Sequence, residues 1–275
     1  MNITVIGAGA WGTALARHFA LHNNRVSMWA RNTEHMRTMQ TERCNNRYLP
    51  GFDFPESLSV HTDLADALRD SELVLLATSV SGLRDSVELL KQHGAADLPI
   101  LAGCKGFELD TGLLTFEVVG QVLPENKYIG VLSGPSFALE LAKQLPCAVC
   151  VASENVEWIQ KLANQLNSPV MRLYANEDII GVAVGGAVKN VMAIATGISD
   201  GLEYGLNARA ALVTRGLAEI TRLAVAMGAK QKTMMGLAGM GYLILTCTGA
   251  LSRNRKVGLG SAEGKELNEI LREIG

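Results

Sequence analysis

The six residues Gly7-Ala8-Gly9-Ala10-Trp11-Gly12 constrain this chain more than any others. They join MNITVIGA, which reads as a strand, to WGTALARHFALHN, whose apolar positions recur at helical spacing. At such a joint each glycine of a Gly-x-Gly-x-x-Gly has a task. Gly7 makes the tight turn, Gly9 lets the backbone approach a pyrophosphate, and Gly12 lets the helix pack on the strand. The free N–H groups at the start of the helix then hold the phosphates.

The same alternation continues. RVSMWAR, SELVLLATS, PILAGCKG, KYIGVLSGPS, CAVCVAS and VMRLYAN are strand-length apolar runs separated by helical periodicity, which predicts βαβ units and a mostly parallel sheet. After about Asn176 the chain becomes rich in Ala, Gly and Leu, without strand-like alternation. Residues 208–228 space their apolar positions as a helix that ends at Gly228. The expected architecture is an α/β Rossmann-like dinucleotide-binding domain over residues 1–176, followed by an all-α substrate and catalytic domain over 177–275. Its length of 275 residues fits two domains.

The end of the second strand bears on the choice of dinucleotide. Trp29-Ala30-Arg31-Asn32 offers no acid before Glu34 for a ribose 2′-hydroxyl, whereas Arg31 could pair with a 2′-phosphate or stack on adenine. That pattern favours NADP, or use of both NADPH and NADH; an ordinary solvated arginine would look the same. Ligands of such sheets sit at the carboxyl ends of the strands. Three loops belong there: Thr78-Ser79-Val80, Gly103-Cys104-Lys105-Gly106 and Ser133-Gly134-Pro135-Ser136. Lys105 is thereby placed near the reacting end of the cofactor, or is merely a solvated loop lysine.

Charge narrows the partners. Lys plus Arg number 25 and Asp plus Glu 27, so no broad field draws in nucleic acid or an anionic membrane, and anion recognition must be local. Met1 leads straight into the first strand with no basic, cleavable segment, and the five cysteines are odd in number and scattered, an expectation of a cytoplasmic protein. Cys147 and Cys150 form a Cys-x-x-Cys with no second pair, in apolar surroundings that suit a buried strand better than a metal site.

From Gly181 to Ile198 the only charge is Lys189. The glycines of that stretch and its central lysine fit a buried helix better than an integral membrane segment. A buried ammonium is costly unless paired, and burial moves a lysine toward the range of a general acid or base. Equally, Lys189 could snorkel from its helix. Ser252-Arg253-Asn254-Arg255 gathers hydroxyl, guanidinium and amide donors that suit a phosphate monoester, or simply forms an exposed polar turn.

Taken together, GAGAWGTALA (7–16), NNRYLPG (45–51), AGCKGFE (102–108), SGPSFALELA (133–142), GGAVKNVMAIATGISDGLEYGLNARAALVTRGLAE (185–219), MMGLAGMG (234–241) and LTCTGALSRNRKVG (245–258) resemble, in order, the bacterial type of NAD(P)-dependent glycerol-3-phosphate dehydrogenase. The resemblance implies reversible hydride transfer between NADPH or NADH and dihydroxyacetone phosphate, a small phosphorylated substrate, giving sn-glycerol 3-phosphate for glycerophospholipid synthesis. It places the general acid/base lysine at Lys189. It also implies substrate contacts from Lys105, Gly134, Ser136, Ser252, Arg253 and Asn254. Cofactor contacts fall on Gly7, Gly9, Ala10, Trp11, Gly12, Arg31, Tyr48, Lys105, Ala138 and Arg253. No metal is implied. The 208–228 helix serves either the core or a homodimer interface.

Three features depart from the family. Ala10 stands where a serine is common. Tyr242 replaces the aspartate of the family's Gly-Leu-Ala-Gly-x-Gly-Asp run, removing an acceptor and a charge partner for nearby lysines. Members also continue for some tens of residues past the position matching Gly275, so the second domain looks shortened. Two readings follow: a working dehydrogenase, or a weakened dinucleotide-binding relative acting as a sensor or scaffold.

Overall fold

The computed structural model describes residues 1–274, which form two compact units: residues 1–132 with 136–177, and residues 133–135 with the chain from 178 onward.

In the first unit, eight strands make one parallel sheet. In chain order they are β1 (Asn2–Ile6), β2 (Arg25–Trp29), β3 (Leu58–His61), β4 (Leu73–Leu76), β5 (Ile100–Ala102), β6 (Ile129–Ser133), β7 (Cys147–Ser153) and β8 (Met171–Asn176). Their spatial order is β8-β7-β6-β5-β4-β1-β2-β3, so the chain reverses direction across the sheet at β1 and β4. Ile3 pairs with Val26 on one side and Leu73 on the other. Helices cover both faces of such a sheet, which is why Val5, Leu75 and Leu101 are fully buried and the central strands read as unbroken apolar runs. An antiparallel hairpin, Cys44–Asn45 with Leu49–Asp53, is set apart from this sheet.

The helix Ala10–Leu21 packs on the sheet through Ala14, Leu15 and Phe19. Its His18 is buried, with Nε2 3.2 Å from the Ser168 hydroxyl and its ring 4.4 Å from that of His22. Desolvation, followed by repulsion from His22, lowers the His18 pKa from 6.5 to about 3. The folded chain therefore keeps His18 neutral where the unfolded chain takes up a proton. Its contribution is complete above pH 6.5 and erodes as the pH falls toward 3. Between pH 7 and 5 this site alone should cost about 2 kcal/mol. Urea midpoints at the two pH values check this: the His18→Gln variant should lose about 2 kcal/mol less over that interval than the parent chain.

The second unit is helical. Asp178 caps its long helix, Ile179–Gly201, with one carboxylate oxygen accepting from the Gly181 N–H and the other from the Lys230 N–H, each at 2.8 Å. This helix is long and apolar enough to cross a bilayer, and about half of it is buried inside the protein. Close backbone approach explains its glycines. A Cβ on Gly197 would lie 2.2 Å from the Arg255 carbonyl oxygen, and one on Gly258 2.1 Å from that of Ile194. Only glycine permits this seam between Ile179–Gly201 and the helix Arg253–Ala262. A second long helix, Gly205–Ala226, ends at Gly228, whose φ of +99° and the Ala229 N–H bond to the Ala224 carbonyl close the helix. A π-helical turn, Leu237–Gly241, leads into the helix Tyr242–Thr248.

Candidate active site

The glycine turn has the form its spacing requires. Gly7 sits at φ +116°, and a Cβ there would lie 2.6 Å from the Ala77 carbonyl oxygen. A Cβ on Gly12 would lie 2.0 Å from the Gly7 oxygen, so any side chain at 12 would push the helix off the strand. Gly9, the residue preceding helix Ala10–Leu21, meets nothing within 4 Å and faces open space. Ala10 is the first helical residue.

Above this turn lies a cavity of about 250 Å³ lined by Gly7, Gly9, Arg31, His35, Tyr48 and Thr78, among others. One buried polar atom in its wall, Thr78 Oγ1, has no partner among the described residues, and the His35 ring beside it hydrogen-bonds the Ala8 backbone. An open cradle of helix N–H groups with an orphaned buried hydroxyl beside it fits the phosphates and ribose of a dinucleotide. Desolvation, with the Arg47 charge next, lowers the His35 pKa, so its ring is neutral near pH 7. The Tyr48 ring stands edge-on to His35 at 5.5 Å and carries the Arg47 guanidinium at 5.1 Å.

Arg31 follows β2 and lies at the Ser79–Gly82 turn, where a Gly82 Cβ would be 3.0 Å from its Nη2. Its exposed partner Asp85 is 3.3 Å away, a pair worth about 0–1 kcal/mol and readily exchanged for another anion. Lys105, after β5, is half-buried with Nζ 4.8 Å from the Trp11 ring centroid. Desolvation lowers its pKa to about 8, against the opposing pull of Cys104. Trp11 Nε1 is buried without a partner among the described residues, and Gly103 passes close beneath it. Gly134, at φ +142°, and Ser136 lie in the loop after β6, and half-buried Ala138 begins the short helix Ala138–Ala142. The Cys-x-x-Cys lies along β7, and burial pushes the Cys147 thiol up to about 11, far from a reactive thiolate.

In the second unit Lys189 is only 7% exposed. Its Nζ donates to Asn190 Oδ1 at 2.6 Å, and Asn254 Nδ2 donates to the same oxygen at 2.8 Å. Asn190 thus ties the lysine to the Ser-Arg-Asn-Arg stretch. Ser252 is buried and caps helix Arg253–Ala262 by accepting from the Arg255 N–H at 3.2 Å, so the start of that helix carries the exposed Arg253 and the half-buried Asn254. Tyr242, 5% exposed, lies with its ring face under Lys189 Nζ.

Two supporting residues escape sequence reasoning. Asn190 carries no charge to mark it, though it adjoins Lys189. Asp200, 6% exposed at its side chain, accepts from Arg209 Nε at 2.7 Å and Arg255 Nε at 2.8 Å, with Arg255 Nη2 at 2.6 Å. The only available signal was a lone acid at the end of an apolar run.

Comparison with known proteins agrees with this architecture. Residues 2–159 match the family model described as NAD-dependent glycerol-3-phosphate dehydrogenase N-terminus, and residues 178–275 its C-terminus. Glycerol-3-phosphate dehydrogenase (NAD(P)+) of Neisseria meningitidis serogroup C is 75% identical over 275 residues, all of this chain and 84% of that protein. The enzyme of the same name from Herminiimonas arsenicoxydans is 52% identical over all of this chain and 83% of its own. The crystal structure of glycerol-3-phosphate dehydrogenase from Coxiella burnetii, 43% identical, superimposes with a TM-score of 0.95 over all of this chain and 84% of that one. These likenesses favour a working enzyme over a sensor or scaffold. The chain belongs to the NAD-dependent glycerol-3-phosphate dehydrogenase family.

Proposed function

We propose that this chain interconverts dihydroxyacetone phosphate and sn-glycerol 3-phosphate with NADPH or NADH, with Lys189 as its proton donor and acceptor. The observation that carries the reading is the shared acceptor at Asn190, which fixes the buried Lys189 ammonium and the Asn254 amide to one oxygen. A buried ammonium and an amide donor suited to a phosphorylated ligand are thereby held to one oxygen.

When bound, the dinucleotide supplies or accepts the hydride. During reduction, negative charge gathers on the C2 oxygen of the substrate; Lys189 stabilises that charge and then donates its proton there. In the oxidation direction neutral Lys189 takes the proton back from the 2-hydroxyl. Ser252, Arg253 and Asn254 hold the substrate phosphate and hydroxyls at the start of a ten-residue helix, where N–H groups and the helix dipole favour an anion. Lys105, Gly134 and Ser136 contribute to the same binding. Gly7, Gly9, Ala10, Trp11 and Gly12 would hold the cofactor, with Arg31, Tyr48, Lys105, Ala138 and Arg253 as further contacts.

Arg253→Ala tests the phosphate assignment. KM for dihydroxyacetone phosphate should rise by at least tenfold, the scale of one lost charge-assisted contact, with kcat much less affected. An unchanged KM removes Arg253 from the substrate site.

Arg31 is the basis for preferring NADP. Its weak exposed link to Asp85 leaves the guanidinium available to a 2′-phosphate. Arg31→Ala should raise KM for NADPH by about tenfold or more and that for NADH little. Equal effects on the two would assign Arg31 to adenine stacking instead.

A further inference from the structure

The seat of Lys189 contains an aromatic ring. Its Nζ lies 4.4 Å from the Tyr242 ring centroid, well inside the range in which a cation is held by a ring face. Lys189 and Tyr242 are both buried, and such an attraction is strongest when water is excluded.

The fold places this ring through a register between two segments. Gly185 and Lys189 are four residues apart and share a face of helix Ile179–Gly201. Ala238 and Tyr242 are likewise four apart on the facing segment. A Cβ on Gly185 would stand 2.3 Å from the Ala238 carbonyl oxygen, so glycine lets the two backbones meet there. One turn further on, the same approach brings the ring beneath the ammonium. The π-helical turn Leu237–Gly241, closed by the Gly241 N–H bond to the Gly236 carbonyl at 3.1 Å, immediately precedes Tyr242. The extra residue of such a turn rotates the side chains after it by about 100°, the step of one helical residue.

Two of the groups that touch the ammonium, the Asn190 amide oxygen and the Tyr242 ring face, are neutral. Cys247 lies on the helix of Tyr242; burial raises its thiol pKa while the Thr196 hydrogen bond and the Lys189 charge lower it. Asp200 with its two arginines lies eleven residues along the lysine's own helix. A ring face favours the charged lysine less strongly than an adjacent carboxylate would, so it aims the ammonium while leaving the proton easier to release.

We propose that Tyr242 is a positioning residue of this enzyme, and that its ring face, rather than its hydroxyl, seats the Lys189 ammonium for proton transfer. The proposal rests on the role of Lys189 given above.

The test compares Tyr242→Phe, Tyr242→Leu and Tyr242→Asp in the full chain by two readouts. One is the pH profile of kcat for reduction. The other is the NMR titration of the Lys189 side chain without substrate or cofactor, its signal assigned by loss in Lys189→Ala. Tyr242→Phe should leave both where they are. Tyr242→Leu should lower kcat about tenfold and move both the basic limb and the NMR titration down by about one pH unit, with KM little changed. Tyr242→Asp should move the titration up. A leucine variant that titrates like the parent chain overturns the proposal, as does a phenylalanine variant that shifts as far as leucine. Should Tyr242→Leu not fold, Tyr242→Met fills similar space without a ring and is read the same way. If Lys189→Ala keeps its kcat, the lysine's role fails; the NMR comparison of Phe with Leu still decides whether the ring seats the ammonium.

Discussion

Replacing Lys189 with alanine should lower kcat by about three orders of magnitude and leave NADPH affinity unchanged. The size follows from two losses at one atom. Removal of a positioned general acid alone costs about 10²–10⁴ in rate, and the same ammonium stabilises the charge gathering on the substrate oxygen. The cofactor should be spared because none of its proposed contacts, from the glycine turn and its cavity to Arg253, is made by Lys189. Steady-state rates and NADPH fluorescence titrations on the same preparation separate the two quantities. A variant with normal kcat and weakened NADPH binding would move Lys189 out of the proton-transfer role.

The second large effect concerns stability. Asp200→Asn should lower the free energy of unfolding by about 3 kcal/mol or more. Asp200 is nearly inaccessible and accepts hydrogen bonds from both Arg209 and Arg255, themselves mostly covered. Removing its charge leaves two buried guanidiniums facing a neutral group, and an uncompensated buried charge is far costlier than a lost surface pair. Burial pushes the Asp200 carboxyl up, but hydrogen bonds from Arg209 and Arg255 outweigh this and hold it below the ordinary aspartate range. Its contribution is therefore present above the unfolded aspartate pKa and fades on acidification through the lower folded value. Urea unfolding should show a reduced midpoint at unchanged slope. A loss below about 1 kcal/mol would mean that water screens the cluster.

These two residues mark the limits of what the sequence discloses. Lys189 stood out because a single charge in an apolar helix is costly and needs a reason. Asp200 lacked that contrast: at the end of the same helix an acid looks solvated, and only the fold brings Arg209 and Arg255 to it. The parallel sheet was legible for a related reason. Strands buried on both faces must be apolar along their length, so β1, β4, β5 and β6 announce themselves as apolar runs, whereas the edge strand β8, MRLYAN, shows alternating burial over its first four residues. The edge strand β3, LSVH, buries alternate residues and is only four long, and the hairpin at 44–53 lies in the polar stretch around NNRYLPG. Neither offers a pattern that stands out from a loop.

Tyr242 was legible only as a departure, with loss of a charge partner as its expected consequence. The coordinates add what a substitution cannot express by itself: the new side chain touches the lysine through its ring face. That contact depends on Gly185 and on the π-helical turn, two backbone features with no signature in hydrophobic periodicity.

The most direct test of the account measures NADPH binding and turnover together. Purified protein should bind NADPH and, on addition of dihydroxyacetone phosphate, oxidise it with one sn-glycerol 3-phosphate formed per NADPH consumed. Tight NADPH binding with no oxidation and no sn-glycerol 3-phosphate, in protein whose fold is intact, would contradict it.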